Sequence, residues 1–376
     1  MTTTDRRPDI DNLRSLATLL LLVFHTAKVY DYSPFYHVKN DASFQGFDVF
    51  TGFLHQWHMP LFFALAGWSM AAAIRRKTAG EIRGERIRRL LIPFAAFFAT
   101  ACLWIGWMEA RHAQDRTVGD NGSPLRLLGV AVTWSHLWFL VYLFTFSMLY
   151  LRLFARLHAR DDDPVVGRAS LVRFVGLMIA IQVLLRWAWP GQQTLVWDWA
   201  NFGYYSAFFI GGFYVGRFPS VDRLVDEHRV VMTRLGVAAS AAMVPFWLRL
   251  VVVEDVTDWA PYVVYEVLSA LAGVGLVIGL AGWARRHFAG DGRLHAWARD
   301  RAFGLYLLHQ ACVVAAAAFV IGTTWPIAVK FSTTLFAATA LTIGLNEALR
   351  HVEVLAPAFG RDRRVTASTG KSVGVG

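Results

Sequence analysis

A chain of 376 residues with 56% hydrophobic and only 17% charged residues, and a mean hydropathy of +0.40, departs from soluble averages of about 45–50% apolar and about 25% charged in the direction a bilayer demands. The formal net charge is +10, yet no basic face with stacking aromatics stands outside the apolar segments, so a nucleic-acid partner is excluded. Cys102 and Cys312 both fall inside apolar segments and give no disulfide framework.

Apolar blocks of roughly 20 residues recur between short charged connectors, the length needed to cross hydrocarbon as helix. In chain order they predict about ten transmembrane helices, near 12–30, 47–74, 90–109, 134–152, 170–189, 200–217, 233–253, 261–284, 302–321 and 326–349. The fold class is all-α and polytopic. A single transmembrane domain spans 1–350 without internal repeat, and the tail 351–376, polar and glycine-rich from Arg361 on, is expected to be disordered. The first segment follows "TDRRPDIDN" without a small-residue cleavage site and is expected to be a retained helix. Of the 37 Lys and Arg, 28 fall at the N-terminus, in the connectors after the even-numbered spans and in the tail, against 7 on the opposite side. The positive-inside rule then puts both termini in the cytoplasm and the chain in the inner or plasma membrane as a multi-pass protein.

The first span, "LRSLATLLLLVFH", opens on Arg14 and closes on His25. At 100° per residue the two differ by only about 20° in direction and lie roughly 16 Å apart along the axis, so they share one face. Asp11 is placed to cap this helix and pair with Arg14. A histidine inside a span faces a cavity or a partner, which makes His25 a functional candidate, with a helix-packing hydrogen bond as its bland alternative. An arginine at an inner helix end commonly snorkels to lipid phosphate.

The stretch "RPDIDNLRSLATLLLLVFH" resembles the acyltransferase-3 superfamily of polytopic membrane O-acyltransferases, which carries an Asp-x-x-Arg start and an Arg-x10-His motif, here at Arg14 and His25. "MPLFFALAGW" looks like that family's second helix and "RIRRLLIPF" like its basic Arg-x-x-Arg connector ending in proline. "SHLWFLVYL" and "FGLYLLHQ" are similar to segments of the branch that modifies periplasmic glucans. Many members have Trp-Ser-Leu-x-x-Glu where this chain has "HLWFLVY", so no glutamate carries over and the partner of His25 is open. The resemblance implies transfer of an acyl group, acetyl or succinyl-like, from cytoplasmic acyl-CoA as co-substrate to a hydroxyl of a cell-envelope carbohydrate or glycolipid, with no permanently bound cofactor. The lipid bilayer is the remaining partner.

The residues are compatible with that chemistry. An alcohol attacking a thioester needs a base within hydrogen-bond reach, and imidazole titrates in the right range. His25 is the choice for this base, or for a covalent acyl carrier. "RGERIRRLLIPF" brings Arg83, Arg86, Arg88 and Arg89 to the mouth of the third span, where guanidinium forks suit phosphate. The family resemblance points to Arg86 and Arg89 for the CoA phosphates, while topology and anionic lipid alone also explain such a cluster.

Other polar residues at membrane depth complete the candidate set. His58 enters at a depth like that of His25, and with His55 it has helical metal-pair spacing, but no third ligand is evident and no metal is expected. His136, beside Trp134 and Trp138, fits an outer carbohydrate site or an interfacial aromatic belt. His309, on the inner half of the ninth span, points to the acyl-CoA channel or to helix packing. Glu266 is the carboxylate best placed to orient a catalytic histidine, with pairing to Arg249 or Arg186 as its structural role. Asp161, Asp162 and Asp163 precede Pro164 in a connector and read as a solvated loop. The competing class is a transporter or flippase of a lipid-linked sugar that uses its buried histidines for proton coupling.

The charge asymmetry makes a testable statement about topology. Cysteines introduced at Thr78 and Asp162 are expected to be shielded from an impermeant thiol reagent in intact cells, and one at Asp120 to be labelled. Labelling of the Thr78 position from outside would overturn the layout.

Overall fold

The computed structural model describes residues 7–34, 36–112, 134–251 and 259–361. All regular structure among them is helical. Helix α1, Pro8–Tyr30, opens on a proline at its first position, where the missing N–H costs nothing, and Asp9 and Asp11 in the first turn complement the helix dipole. Asp11 is therefore a first-turn residue and not the cap expected of it. It does pair with Arg14, at 3.6 Å.

Helix α2, Gln45–Ile74, returns in the opposite direction and continues through Pro60. Helix α3, Ala79–His112, starts at a capping box between Thr78 and Glu81. Wide π turns at Ile87–Leu91 and Phe98–Cys102 interrupt it, the first immediately before Pro93, whose absent N–H breaks the regular i to i−4 ladder. Helix α4, Trp138–Leu149, is entered through a 3-10 turn at Ser135–Leu137 and bends by 51° into α5, Leu151–His158. There follow α6, Arg168–Leu185, α7, Trp199–Arg217, and α8, Pro219–Ala242, prolonged to Trp247. The chain closes with α9, Trp259–His287, α10, Arg293–Val320, α11, Ile327–Arg350, and a 3-10 turn at Glu353–Phe359.

Each of the ten expected segments contains a helix among its described residues. Among the described residues 8 helices are long and apolar enough to cross a bilayer, and the bent α4–α5 pair makes 9. Helix α7 has 19 residues, but glycines, tyrosines and Asn201 dilute its apolar character. It is nonetheless enclosed by α2, α6 and α8.

Several boundaries differ from expectation; α3, for one, begins at Ala79 instead of 90. Helix α8 begins at Pro219 instead of 233, because the charged stretch read as a connector is an amphipathic first half of the helix. Its start is held by Asp163, which accepts from the Ser220 backbone N–H at 3.0 Å and hydroxyl at 2.7 Å, so one member of the acidic triplet is a structural anchor. Helix α10 begins at Arg293 instead of 302. In the expected tail, Glu353–Phe359 is ordered and Phe359 packs edge-on against Phe97; residues 362–376 lie outside the described part.

Helices α2 and α7 pack closely along their length. Gly67 and Gly212 make it possible: a Cβ on Gly67 would fall on the Phe209 carbonyl, and one on Gly212 on the Ala64 carbonyl. Small residues allow such backbone approach where no hydrophobic force drives helices together in lipid. Around this seam lies an aromatic core in which Phe63 stacks on Tyr205 at 4.8 Å and Phe154 on Phe213 at 3.9 Å.

Gly67→Ala and Gly212→Ala should each destabilise the protein by about 1–3 kcal/mol, the usual cost of overpacking, read as a lower thermal midpoint in detergent. Gly176→Ala, where an added Cβ meets nothing within 4 Å, should leave the midpoint unchanged or raise it. Equal midpoints for all three would contradict the seam.

Candidate active site

Helices α1, α2, α3, α4 and α10 enclose a cavity of about 1890 Å³ whose lining runs from Arg14 and Arg86 at one end to Asp31, His37 and Glu109 at the other. Arg14, His25, His58, Arg86, Arg89, His136 and His309 all line it. The shared face deduced for Arg14 and His25 is the face of α1 that forms its wall.

The first end is basic. Arg14 donates to the Ser69 hydroxyl at 2.7 Å. Arg89 pairs with Glu85 at 3.2 Å, and Lys77 reaches the same carboxylate at 2.6 Å. Arg86 donates to the Met70 thioether at 3.1 Å, a weak acceptor. Among the described residues no carboxylate lies within ion-pair distance of Arg86. Arg299 and Arg350 from α10 and α11 complete this rim.

Three imidazoles meet deeper in the cavity. The His25 ring is 5.0 Å from that of His309, which is 4.8 Å from that of His136. A carbonyl only accepts, so the 2.6 Å contact from His309 Nδ1 to the Tyr306 carbonyl makes Nδ1 the protonated nitrogen and leaves Nε2 a bare lone pair. His136 donates from Nε2 to the Leu307 carbonyl at 3.1 Å, and the Tyr306 hydroxyl donates back to the His136 carbonyl at 2.8 Å. These reciprocal bonds pin the start of α4 to α10. His25 Nδ1, His136 Nδ1 and His309 Nε2 are buried without a hydrogen-bond partner, so the cluster holds unused nitrogens beside the cavity. The rings against His25 are Phe24, Tyr36 and His309.

Placing His309 beside His25 corrects its expected inner depth. Measured from the basic end, His25 is about 26 Å along α1 and His309 about 24 Å along α10 at 1.5 Å per residue, because α10 starts nine residues earlier than the hydropathy suggested.

Two other candidates take different places. His58 lines the cavity but donates from Nε2 to the Ala17 carbonyl at 2.7 Å, tying α2 to α1. Glu266 is buried but is absent from the cavity wall. It belongs to a separate polar layer around Arg186, which donates to Asn201 at 2.9 Å and Gln182 at 2.8 Å. Arg249 instead donates to the Tyr32 carbonyl at 3.0 Å. Among the described residues no three His, Cys, Asp or Glu side chains gather as a metal site.

The far end is built by the 31–44 loop. Asp31 accepts from Lys39 and Lys28, each at 2.7 Å, and Lys39 also donates to the Lys28 carbonyl at 2.7 Å. Burial pulls the Lys39 ammonium below its ordinary pKa, with Asp31 opposing that shift. The loop so anchored delivers Tyr36, stacked on His25 at 5.8 Å, and His37, bonded to Glu109 at 2.5 Å. Burial holds the Tyr36 hydroxyl well above its ordinary pKa, so it stays a neutral donor. Opposite, buried Asp198 accepts from Tyr142, from the Gln193 backbone and from Asn201, at 2.8, 2.8 and 2.9 Å, which sets Gln192 and Gln193 in the wall.

A family model described as an acyltransferase domain matches residues 7–346. The chain belongs to the acyltransferase-3 family. Curated relatives include the glucans biosynthesis protein C of Shigella dysenteriae serotype 1 (strain Sd197) and that of Escherichia coli (strain K12), each 22% identical over 179 residues. The matched stretch is 46% of this chain and 46% of each relative, so the likeness spans about half the length of the curated relatives. No solved structure matches. With the family and the apolar helices together, this acyltransferase-3 chain is a multi-pass membrane protein.

His37 and Glu109 are the site residues of this family member that its sequence did not single out. Glu109 closes an apolar run next to Arg111 and reads as the edge of a connector. The useful signal was its position: a lone acid in the last turn of a span, at the same end as a loop histidine.

Proposed function

We propose that the chain is a membrane O-acyltransferase that moves an acetyl- or succinyl-like group from acyl-CoA to a hydroxyl of a cell-envelope carbohydrate or glycolipid. The observation that carries this reading is the continuous cavity joining the arginine end to the His25–His309–His136 cluster. The basic end faces the cytoplasm, in line with the positive-inside count. There the CoA phosphates meet Arg86 and Arg89, with Arg14 one layer deeper. Arg86, held by a thioether instead of a carboxylate, keeps its guanidinium fork for a phosphate.

A pantetheine arm entering from that end extends along α1, where Thr18 and Leu21 line the route, and brings the thioester carbonyl to His25. His25 then serves as base toward the incoming hydroxyl or accepts the acyl group itself. His309 Nε2, an unpartnered acceptor whose ring centre lies 5.0 Å from that of His25, is the group placed to take up a proton from His25. That makes His309 a partner of His25 more than a CoA contact. The acceptor enters from the opposite mouth, whose polar wall of His37, Glu109, Gln192 and Gln193 and flanking tryptophans suit a sugar.

The test is radiolabelled acyl transfer by purified protein. His25→Ala should bind acyl-CoA normally and lose about 10²- to 10⁴-fold in transfer rate. Arg86→Ala with Arg89→Ala should weaken acyl-CoA binding, each charge-assisted bond contributing about 1.5–3 kcal/mol, while short thioesters lacking the nucleotide are used almost as well as by wild type. An active His25→Gln enzyme would reduce His25 to a packing residue. Absence of transfer by wild type across a broad donor and acceptor panel would favour the transporter class.

A further inference from the structure

Beyond the His25 cluster, on the far side of the Tyr36 ring, three residues from three distant segments stand in line. His37 lies in the 31–44 loop, Glu109 in the last turn of α3, and Ser135 at the entry of α4. His37 Nδ1–H donates to Glu109 Oε2 at 2.5 Å, which leaves Nε2 as the acceptor, and the Ser135 hydroxyl lies 3.2 Å from Nε2. All three line the same cavity as His25. Ser135 also has a backbone φ of 47°, in the left-handed region that a residue with a Cβ rarely adopts. Nucleophile, base and orienting acid in this order are the arrangement that activates a hydroxyl for acyl transfer, and it is recognised by geometry and not by chain order.

We propose that Ser135, His37 and Glu109 form a second acyl-transfer centre, in which Ser135 takes the acyl group from the His25 site and holds it as an ester for the acceptor hydroxyl. The proposal rests on the reading of the chain as an acyl-CoA-dependent acyltransferase in which His25 is the first acyl carrier. In the first step a His25 nitrogen attacks the thioester carbonyl, the C–S bond breaks, and the thiolate takes the other imidazole proton to leave as free thiol. In the second, the Tyr36 ring turns out from between the two sites, and Ser135 Oγ attacks the acyl carbon and gives its proton to His37 Nε2. The acyl C–N bond breaks, and that proton passes to the departing imidazole of His25. In the third, the acceptor hydroxyl attacks the serine ester and yields its proton to His37, and Ser135 Oγ leaves and takes it back. No oxidant or further reactant is required. Glu109 stabilises the His37 imidazolium formed in the second and third steps.

The relay separates the two substrates in space. The nucleotide end of the donor stays at the arginine rim, and the acceptor has only to reach the outer mouth, one tyrosine ring short of His25. A merely structural role for the trio, stapling the loop to α3 and α4, predicts no chemical reactivity at Ser135.

Two measurements on the full-length protein in nanodiscs test this. The first needs no acyl-CoA: a fluorophosphonate probe should label Ser135, identified by peptide mass spectrometry, and His37→Gln should slow labelling by about 10²-fold or more. In the second, wild type given acetyl-CoA or succinyl-CoA without acceptor should accumulate an ester on the Ser135 peptide. His25→Ala should not accumulate it, and Ser135→Cys should hold the group as a thioester cleaved by neutral hydroxylamine. Absence of labelling, labelling of His37→Gln at the wild-type rate, or normal transfer by Ser135→Ala would overturn the serine centre and leave the acyltransferase reading standing. Labelling of Ser135 in a protein that transfers nothing from any CoA thioester would support the serine centre and overturn the acyl-CoA reading.

Discussion

A polar side chain at membrane depth is costly unless it meets a partner or a cavity, and the arrangement of this bundle follows from that constraint. His25, His58, His136 and His309 sit where hydrocarbon would otherwise surround them. The structure meets the constraint in two ways. Some nitrogens are satisfied on carbonyls of neighbouring helices, as His58 on Ala17 and His136 on Leu307. Others, on His25, His136 and His309, are buried without partners beside the cavity. The first kind holds the helices together and the second kind is left for chemistry. One residue, His136, does both.

Helix α1 is the element on which the rest is assembled. It packs against α2, α9, α10 and α11, carries Arg14 and His25 on its cavity face, and ends in the loop whose Asp31 is gripped by Lys28 and Lys39. That grip positions Tyr36 and His37. The polar layer around Arg186 and Glu266, neither of which lines the cavity, locks α6, α7 and α9 through Gln182, Asn201 and Ser269. Its buried charge marks helix packing, and the placement separates a structural carboxylate, Glu266, from the one that meets a histidine, Glu109.

The helical segments were legible in the sequence because hydrocarbon thickness imposes a length on each of them. The common face of Arg14 and His25 was legible because helical periodicity alone determines it. Depth was harder. The first three turns of α10 carry Arg293, His295, Arg299, Asp300 and Arg301, so hydropathy starts the helix late and displaces His309 toward the wrong end. The amphipathic start of α8 was lost for the same reason. The outer trio had no local signature beyond a lone acid at the end of a span, since its hydrogen bonds link residues 72 and 98 positions apart, and only the packing of the 31–44 loop against α3 and the entry of α4 brings them together. Glu266 drew attention because it interrupts an apolar run, yet conspicuousness in a sequence measures the cost of burying a charge and not its use.

The central claim is that donor and acyl chemistry share one cavity, with the nucleotide at the arginine end and the acyl carbon at His25. A structure of the protein with a non-transferable thioether analogue of acetyl-CoA, determined by electron cryomicroscopy in nanodiscs, tests it most directly. The account predicts phosphates against Arg86 and Arg89, a pantetheine arm passing Arg14 along α1, and the acyl carbon within about 4 Å of a His25 nitrogen, van der Waals reach. A nucleotide bound at the His37–Glu109 mouth, or an acyl end that stops short of His25, would contradict it.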